Sequence, residues 1–528
     1  MILAMLTSVC KRAPETAPSS RLVIGTAQEP DGLDPLFAQR ASSQEAAALV
    51  IRDLAAYDER WSVVPDLAAA EPQRVSSSTG GATFRVELDE SLAWSDLVKV
   101  TAEDVAFGFS VAANPRLGLA GPSTRSISSV RALSERWVEI RTSDPGLEIF
   151  VPRLLPVLPK HAYPPIPKEA VASFAGMGRN PVANGPYRLL AWTSGRSLTF
   201  ERNPGWPGPR PELDQIELAV FASEDALELA VRSGRVDALG EASGLSVDRV
   251  LAASRTLEKT HVLELTESGV WLHLDVRLDD PVGKDVRFRR ALDLAIDREA
   301  LATLAYEGLA TPSASCFPPR AGIQSAPPKH DPAAARTLLA ELVKVPSIRL
   351  ELASDSQASE RAGAAIKEML GAVGLTLELE PRPFRVLMDS MRKRTQATLT
   401  LYAWRLPPDW DAAPILETGA DRNFTGISDP ELDAALRRAR TSRGPDRKRA
   451  LAEVERRYRE LVPTVSLLFR RSASLRPRWL EGWRPTGTTT PVTWNAEAWR
   501  VRGRSDSDSV GSAKEDLRTS PAPSGSKR

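Results

Sequence analysis

The chain has 528 residues, 42% hydrophobic and 26% charged, which is too long for one ordinary core and fits a globular protein of two or three lobes. Its 69 basic and 68 acidic residues give a net charge of +1, so the basic excess of a nucleic-acid-binding surface is missing. The two cysteines, Cys10 and Cys316, make neither a disulfide framework nor a zinc site, and after the first residues no run reaches the roughly 18 apolar positions that cross a bilayer.

In chain order, an apolar stretch from Met1 to Val9 ends at Cys10, and a Pro/Ala/Ser-rich linker runs to Ser20. Leu22-Val23-Ile24 predicts a first strand, Ser43 to Ala56 a helix, and Thr83 to Leu88 a strand with strict alternation. Thr101-Ala102-Glu103-Asp104 reads as a capping box opening a helix whose Val105, Phe109 and Ala112 share a face. Arg136 to Thr142 alternates again. Tyr187–Trp192 and Leu198–Arg202 predict a hairpin across Thr-Ser-Gly-Arg. A strand Leu213–Phe221, a helix Glu224–Ser233 closed by Gly234, and a strand Val270–Leu274 follow. Lys284 to Tyr306 predicts one long helix with Phe288, Leu292, Ala295 and Ile296 buried. Strand and helix then alternate through Ser347–Leu352, Ser359–Leu370, Leu375–Leu379, Phe384–Met391 and Ala397–Tyr402. Asp429 caps a helix with Pro430 at its first position, and Pro463–Phe469 is a late strand. This alternation predicts α/β lobes. The tail, 503–528, is rich in Ser, Asp, Gly and Lys and is expected to be disordered.

Motifs of catalysis are missing. There is no Gly-x-Ser-x-Gly elbow, no phosphate-binding loop and no Gly-x-Gly-x-x-Gly after a strand. The four histidines, His161, His261, His273 and His330, are never spaced i, i+4, so a metal-binding helix is not expected. Acidic pairs such as Asp279-Asp280 read as solvated or capping.

Six segments, in order, carry a resemblance. They are Glu29-Pro30-Asp31-Gly32-Leu33-Asp34-Pro35; Pro65-Asp66-Leu67-Ala68; Trp94-Ser95-Asp96 with Val100 to Val105; Asn184-Gly185-Pro186-Tyr187 with Trp192 and Arg202-Asn203-Pro204; Asp285 to Ala291 with Ala295 to Arg298; and Asn423-Phe424-Thr425-Gly426 with Asp433. Together, over roughly 21–500, the chain resembles the peptide/nickel-type extracytoplasmic solute-binding proteins of ABC transporters, the class of oligopeptide- and dipeptide-binding receptors. The resemblance implies an α/β, two-lobed periplasmic-binding-protein-like fold with hinge crossings and an extra subdomain in the N-terminal lobe. Lobe one would be 21–265 plus 483–502, with the inserted subdomain at about 45–180, and lobe two 266–482. A hinge would close over the solute. Residues 1–10 resemble a lipoprotein signal, with Cys10 as the lipidation site and 11–20 as linker. They depart from that pattern in having Val9 before the cysteine and no basic residue ahead of the apolar run.

The expected function is therefore capture of a peptide-like or other small polar solute and its delivery to permease subunits, by a periplasmic or cell-envelope protein, lipid-anchored through Cys10 and monomeric. Enzymatic activity, a cofactor, a metal and a nucleic-acid partner are not expected. A solute sensor or chaperone module on the same fold is the alternative, and a hydrolase on this scaffold is a third reading. Candidate cargo contacts are Glu29, Trp404, Arg405, Asp409 and Asn423. Glu29 follows the first strand, Trp404 could stack on a ligand, and Arg405 could pair with a carboxylate. Peptide receptors of the family carry an aspartate three residues after a strand tryptophan, and it binds the ligand's amino group. Here the third residue after Trp404 is Pro407, with Asp409 two further on. Asp275 stands where an asparagine is expected, and Leu97 where a turn glycine is.

Overall fold

Two sheets built around parallel strand pairs carry the architecture. The computed structural model describes residues 20–503, apart from 39, 79, 170–172, 324–325, 343–346, 355–356, 407–409, 443 and 488–489. In the first sheet Arg21–Thr26 pairs in parallel with Gln215–Val220, and the hairpin of Ser197–Arg202 and Tyr187–Thr193 extends it antiparallel. Leu22 and Ile24 alternate inward onto Leu198, Phe200, Ile216 and Leu218. The end of the chain returns to this core, where Trp479, Trp483 and Trp499 close it.

A four-stranded antiparallel sheet, Gln73–Ser78, Gly81–Glu87, Trp137–Thr142 and Ile127–Ala132 in spatial order, forms a separate cluster spanning Leu54 to Val157. Leu158, Tyr163, Met177 and Ala183 pack instead into the first-lobe cluster. Helix Ala102–Ala112 covers this sheet, and its capping box is formed: the Thr101 amide donates to Asp104 Oδ2 at 2.8 Å. Asp104 also accepts from Trp94 Nε1 at 3.3 Å and from the Lys160 amide at 2.9 Å, so this stretch anchors the subdomain. Gly108 lets the helix rest on the chain beneath it, since a Cβ there would sit 1.9 Å from the Pro156 carbonyl oxygen.

The second lobe holds a six-stranded sheet in the order Ala310–Pro312, Thr464–Pro477, His261–Val276, Leu399–Arg405, Ile348–Ala353 and Leu377–Arg382. Its two central long strands are also the crossings. They pair antiparallel from His261↔Pro477 to Asp275↔Thr464, interrupted between Glu267 and Trp271. Beyond that bulge their far ends enter the first lobe, where Leu239 bridges Leu475 and Ala473 packs beside Val231 and Val250.

Three elements differ from their sequence patterns. The helix read over 43–56 is Ala41–Val50, and Ala55–Tyr57 turns to pair with Val63–Pro65. The strand read as Val270–Leu274 is the 16-residue His261–Val276, because Glu264 and Glu267 mask the periodicity of its crossing half. The single helix read over 284–306 is two, Val286–Ala295 and Arg298–Tyr306. Between them Asp297 takes an extended backbone and accepts the Ala300 amide at 3.0 Å, capping a new helix instead of continuing the old one. Arg298 then turns inward, donating to the carbonyls of Ser466 at 2.9 Å, Asp293 at 3.0 Å and Ser313 at 3.1 Å.

Candidate functional site

In both lobes the carboxyl ends of parallel strands point toward one cleft. In the first lobe, Gln215–Val220 leads into helix Glu224–Arg232, and in the second, Ile348–Ala353 leads toward helix Gln357–Gly371 while its parallel neighbour ends at Arg405. Glu224, Asp225 and the 245–250 segment wall the cleft on one side. Tyr306, Glu307, Gln357, Arg361 and Arg405 wall it on the other, with Ser268, Val270 and 470–473 of the crossing strands as its base. Its volume of about 840 Å³ is that of a small-molecule site.

The walls differ in the sign of their net charge, although Arg249 stands among the first-lobe carboxylates and Glu307 among the second-lobe arginines. On the first-lobe side stand Glu224, Asp225, Glu241 and Asp248. Glu224 and Asp225 share Arg249, at 3.5 and 2.5 Å. Glu241 accepts the Thr266 hydroxyl at 2.6 Å, and burial still holds its carboxyl above the ordinary value. Arg361, Arg405, Arg470 and Arg471 line the second-lobe side and the base. Arg361 donates to the Ala305 carbonyl at 3.0 Å and Arg405 to that of Gly487 at 3.1 Å, and the Arg470 guanidinium lies 5.6 Å from the Tyr306 ring centroid. Among the described residues none of these four arginines has a carboxylate within 4.0 Å. Removal of water lowers the pKa of Arg405; Glu241 opposes that shift and Arg470 adds to it.

Of the described residues singled out by sequence, Arg405 alone lines this cleft. Glu29 is engaged within its own lobe: its carboxylate accepts Ser194 Oγ at 2.8 Å and Trp192 Nε1 at 3.1 Å, with Arg179 at 3.8 Å. Those hydrogen bonds outweigh the desolvation of Glu29 and keep its pKa low. Trp404 pairs across the sheet with Trp271 and carries the Arg422 guanidinium 4.6 Å from its ring centroid. It lines a separate cavity of about 10 Å³ with His273, Asp275 and Tyr402. There Tyr402 donates to Asp275 at 2.8 Å, while burial raises Asp275 to about 7 and lowers His273 to about 3. Asn423 is buried and engages its amide within its own loop, donating to the carbonyls of Glu417 and Ile427 and accepting from the amides of Gly426 and Ile427. Asp409 and Cys10 lie outside the described residues.

Sequence reading did not single out Glu241, Arg361 or Arg470. A signal for Arg470 exists, since Arg470-Arg471 breaks the largely apolar run 465–469 in the middle of strand Thr464–Pro477. Among the described residues, no group of three or more His, Cys, Asp or Glu side chains could hold a metal ion, and no helix is long and apolar enough to cross a membrane.

Comparison with known proteins gives one consistent set. Residues 62–423 match the family described as bacterial extracellular solute-binding proteins, family 5 middle. Protein XP55 of Streptomyces lividans is 26% identical over 470 residues, covering 84% of this chain and 81% of XP55. The oligopeptide-binding protein AppA of Bacillus subtilis is 20% identical over 92% of this chain and 94% of its own. In fold, the ABC transporter substrate binding protein CtaP from Listeria monocytogenes superposes with a TM-score of 0.77 at 17% identity, over 92% of this chain and 99% of CtaP.

Proposed function

Since the chain belongs to the bacterial extracellular solute-binding proteins of family 5, we propose that it captures a peptide-like zwitterion or another small polar solute in the interlobe cleft and hands it to an ABC-transporter permease. The observation that carries this reading is the pairing of an acidic wall on one lobe with a basic wall on the other across about 840 Å³. A dipolar solute lying between the walls satisfies both at once. Closing the lobes removes water and strengthens each contact. The bulge between Glu267 and Trp271, where Gly269 takes a φ of +64°, gives the crossing strands a place to bend.

The protein acts outside the cytoplasm, as members of its family do, and its relatives are binding proteins. On this reading it releases its cargo chemically unchanged. It works as a monomer, with Cys10 as its lipid attachment point. Native mass spectrometry of protein purified from cell envelopes is expected to show a co-purifying small molecule. A mixed tripeptide library is expected to raise the thermal midpoint, because a ligand at 100 times its Kd adds about 2.7 kcal/mol. If neither peptides nor other envelope solutes stabilise or compact the protein, the reading fails. Recovery of a permease from detergent-solubilised membranes separates transport from a sensor role, and incorporation of labelled fatty acid, lost in Cys10→Ser, tests the anchor.

A further inference from the structure

The strand order brings two cleft arginines to the same interruption. His261–Val276 lies between Leu399–Arg405 on one side and Thr464–Pro477 on the other. Arg405 pairs opposite Val270, at one edge of the bulge, and Arg471 opposite Glu267, at the other. Ser268, inside the bulge, donates its hydroxyl to the Arg470 carbonyl at 2.8 Å. Arg405 and Arg470 therefore flank the interruption of the crossing from both neighbouring strands, and both line the cleft. Neither guanidinium has a carboxylate within 4.0 Å among the described residues, so an anion entering the cleft meets both without displacing a direct ion pair. Among the described residues Arg405 uses one of its five N–H donors, on Gly487, and the Arg470 guanidinium makes no hydrogen bond, so a planar fork remains for a carboxylate or phosphate. Gly487 is fixed there by contact, since a Cβ would sit 1.8 Å from the Glu267 carbonyl oxygen. Its amide donates to Glu241, which ties that carboxylate to the first-lobe side of the same residue.

We infer that the cleft holds its solute with a fixed polarity, an anionic head seated between Arg405 and Arg470 and any cationic end directed to the first-lobe wall, where Glu224, Asp225, Glu241 and Asp248 outnumber the one arginine, Arg249. The inference rests on the solute-binding reading above and adds the class of head group and its place. For a peptide the head is the terminal carboxylate. The same fork accepts a phosphate group.

The test uses the full chain and a tripeptide library made in free, N-acetylated and C-amidated forms, with capture read by native mass spectrometry. The free and N-acetylated forms are expected to be retained and the C-amidated form to be captured about tenfold less, or weaker still. In Arg470→Gln the free form is expected to fall to the level of the amide, with Arg470→Lys restoring part of the difference and the unliganded thermal midpoint unchanged. Equal capture of amidated and free forms overturns the inference and leaves the solute-binding reading standing. If no form is captured, the peptide reading falls and the anion site is judged by inorganic phosphate alone. Phosphate is then expected to raise the midpoint of the unsubstituted protein and not of Arg405→Gln/Arg470→Gln, and an equal effect, or none, on both proteins overturns it.

Discussion

The indole rings of Trp61 and Trp410 lie with their centroids 5.0 Å apart and their planes tilted by 30°, joining the turn of the N-terminal subdomain to the second lobe. Both residues hold a left-handed backbone, φ +65° and +59°, which a bulky side chain adopts only where its surroundings impose it. Those surroundings are visible. Trp61 donates its indole N–H to the Thr486 carbonyl and stacks under Arg320, 5.1 Å from its ring centroid, and Arg320 reaches back to the Glu59 carbonyl. A Cβ at Gly269 would lie 3.0 Å from the Trp61 ring, so the turn also touches the bulge of the crossing strand. The pair is thus a bridge between lobes placed beside the point where they bend.

Trp61→Ala removes this bridge. Loss of a buried tryptophan is expected to lower unfolding free energy by about 3 kcal/mol in urea titrations. The ligand-free protein should also show a larger radius of gyration by X-ray scattering. Unchanged scattering would mean that the pair does not hold the lobes together.

Glu45 is 1% exposed, neither of its carboxylate oxygens has a hydrogen-bond partner among the described residues, and Gly240 packs directly against it. Burial, with repulsion from Glu241, raises it to about 8. The unfolded chain therefore ionises this group first, and stability falls as pH rises from the ordinary carboxylate value to about 8. Glu45→Gln is expected to leave the midpoint unchanged near pH 4 and to raise stability at pH 7 by on the order of 3 kcal/mol. A pH series of thermal midpoints checks both ends, and parallel curves for the two proteins would refute it.

Asn423→Ala separates a loop-forming role from a ligand contact. The substitution removes the side-chain bonds to the Glu417 and Ile427 carbonyls and from the Gly426 and Ile427 amides, and a loss of about 2 kcal/mol is expected. Cargo affinity measured by calorimetry should change by less than about twofold, below the tenfold that 1.4 kcal/mol represents.

Gly108→Ala tests the seating of the subdomain helix. The added methyl meets the Pro156 carbonyl, and such overpacking costs about 1–3 kcal/mol. Faster proteolysis within the subdomain, with the second lobe intact, is the expected signature. A protein as resistant as the parent would show that the helix can shift at no cost.

Local signals in the sequence translated directly into structure. The Thr101 and Asp429 caps form, with the Asp429 carboxylate accepting the Leu432 amide at 2.8 Å. The hairpin of Tyr187–Thr193 and Ser197–Arg202 lies where alternation and its Gly-containing turn put it. Asn184 and Asn203, two residues of the family-like pattern, prove to be cross-links, one to the Arg52 backbone at 2.7 Å and one to the Gly185 carbonyl at 2.8 Å. These features depend on neighbours within a few residues or on packing that periodicity records.

The binding walls were less legible. Arg405 could be picked out because it ends a strand beside a tryptophan, but Glu241, Arg361 and Arg470 come from loops, helices and strands far apart in the chain. Glu29 sits where a first-strand site would, yet the hairpin bearing Trp192 and Ser194 captures its carboxylate. By itself the sequence determined the family, the α/β alternation and the caps, since these rest on local spacing and composition. Tertiary structure alone decided which charges face one another, because two long strands cross between lobes and fix at their bulge the residues that no local pattern brings together.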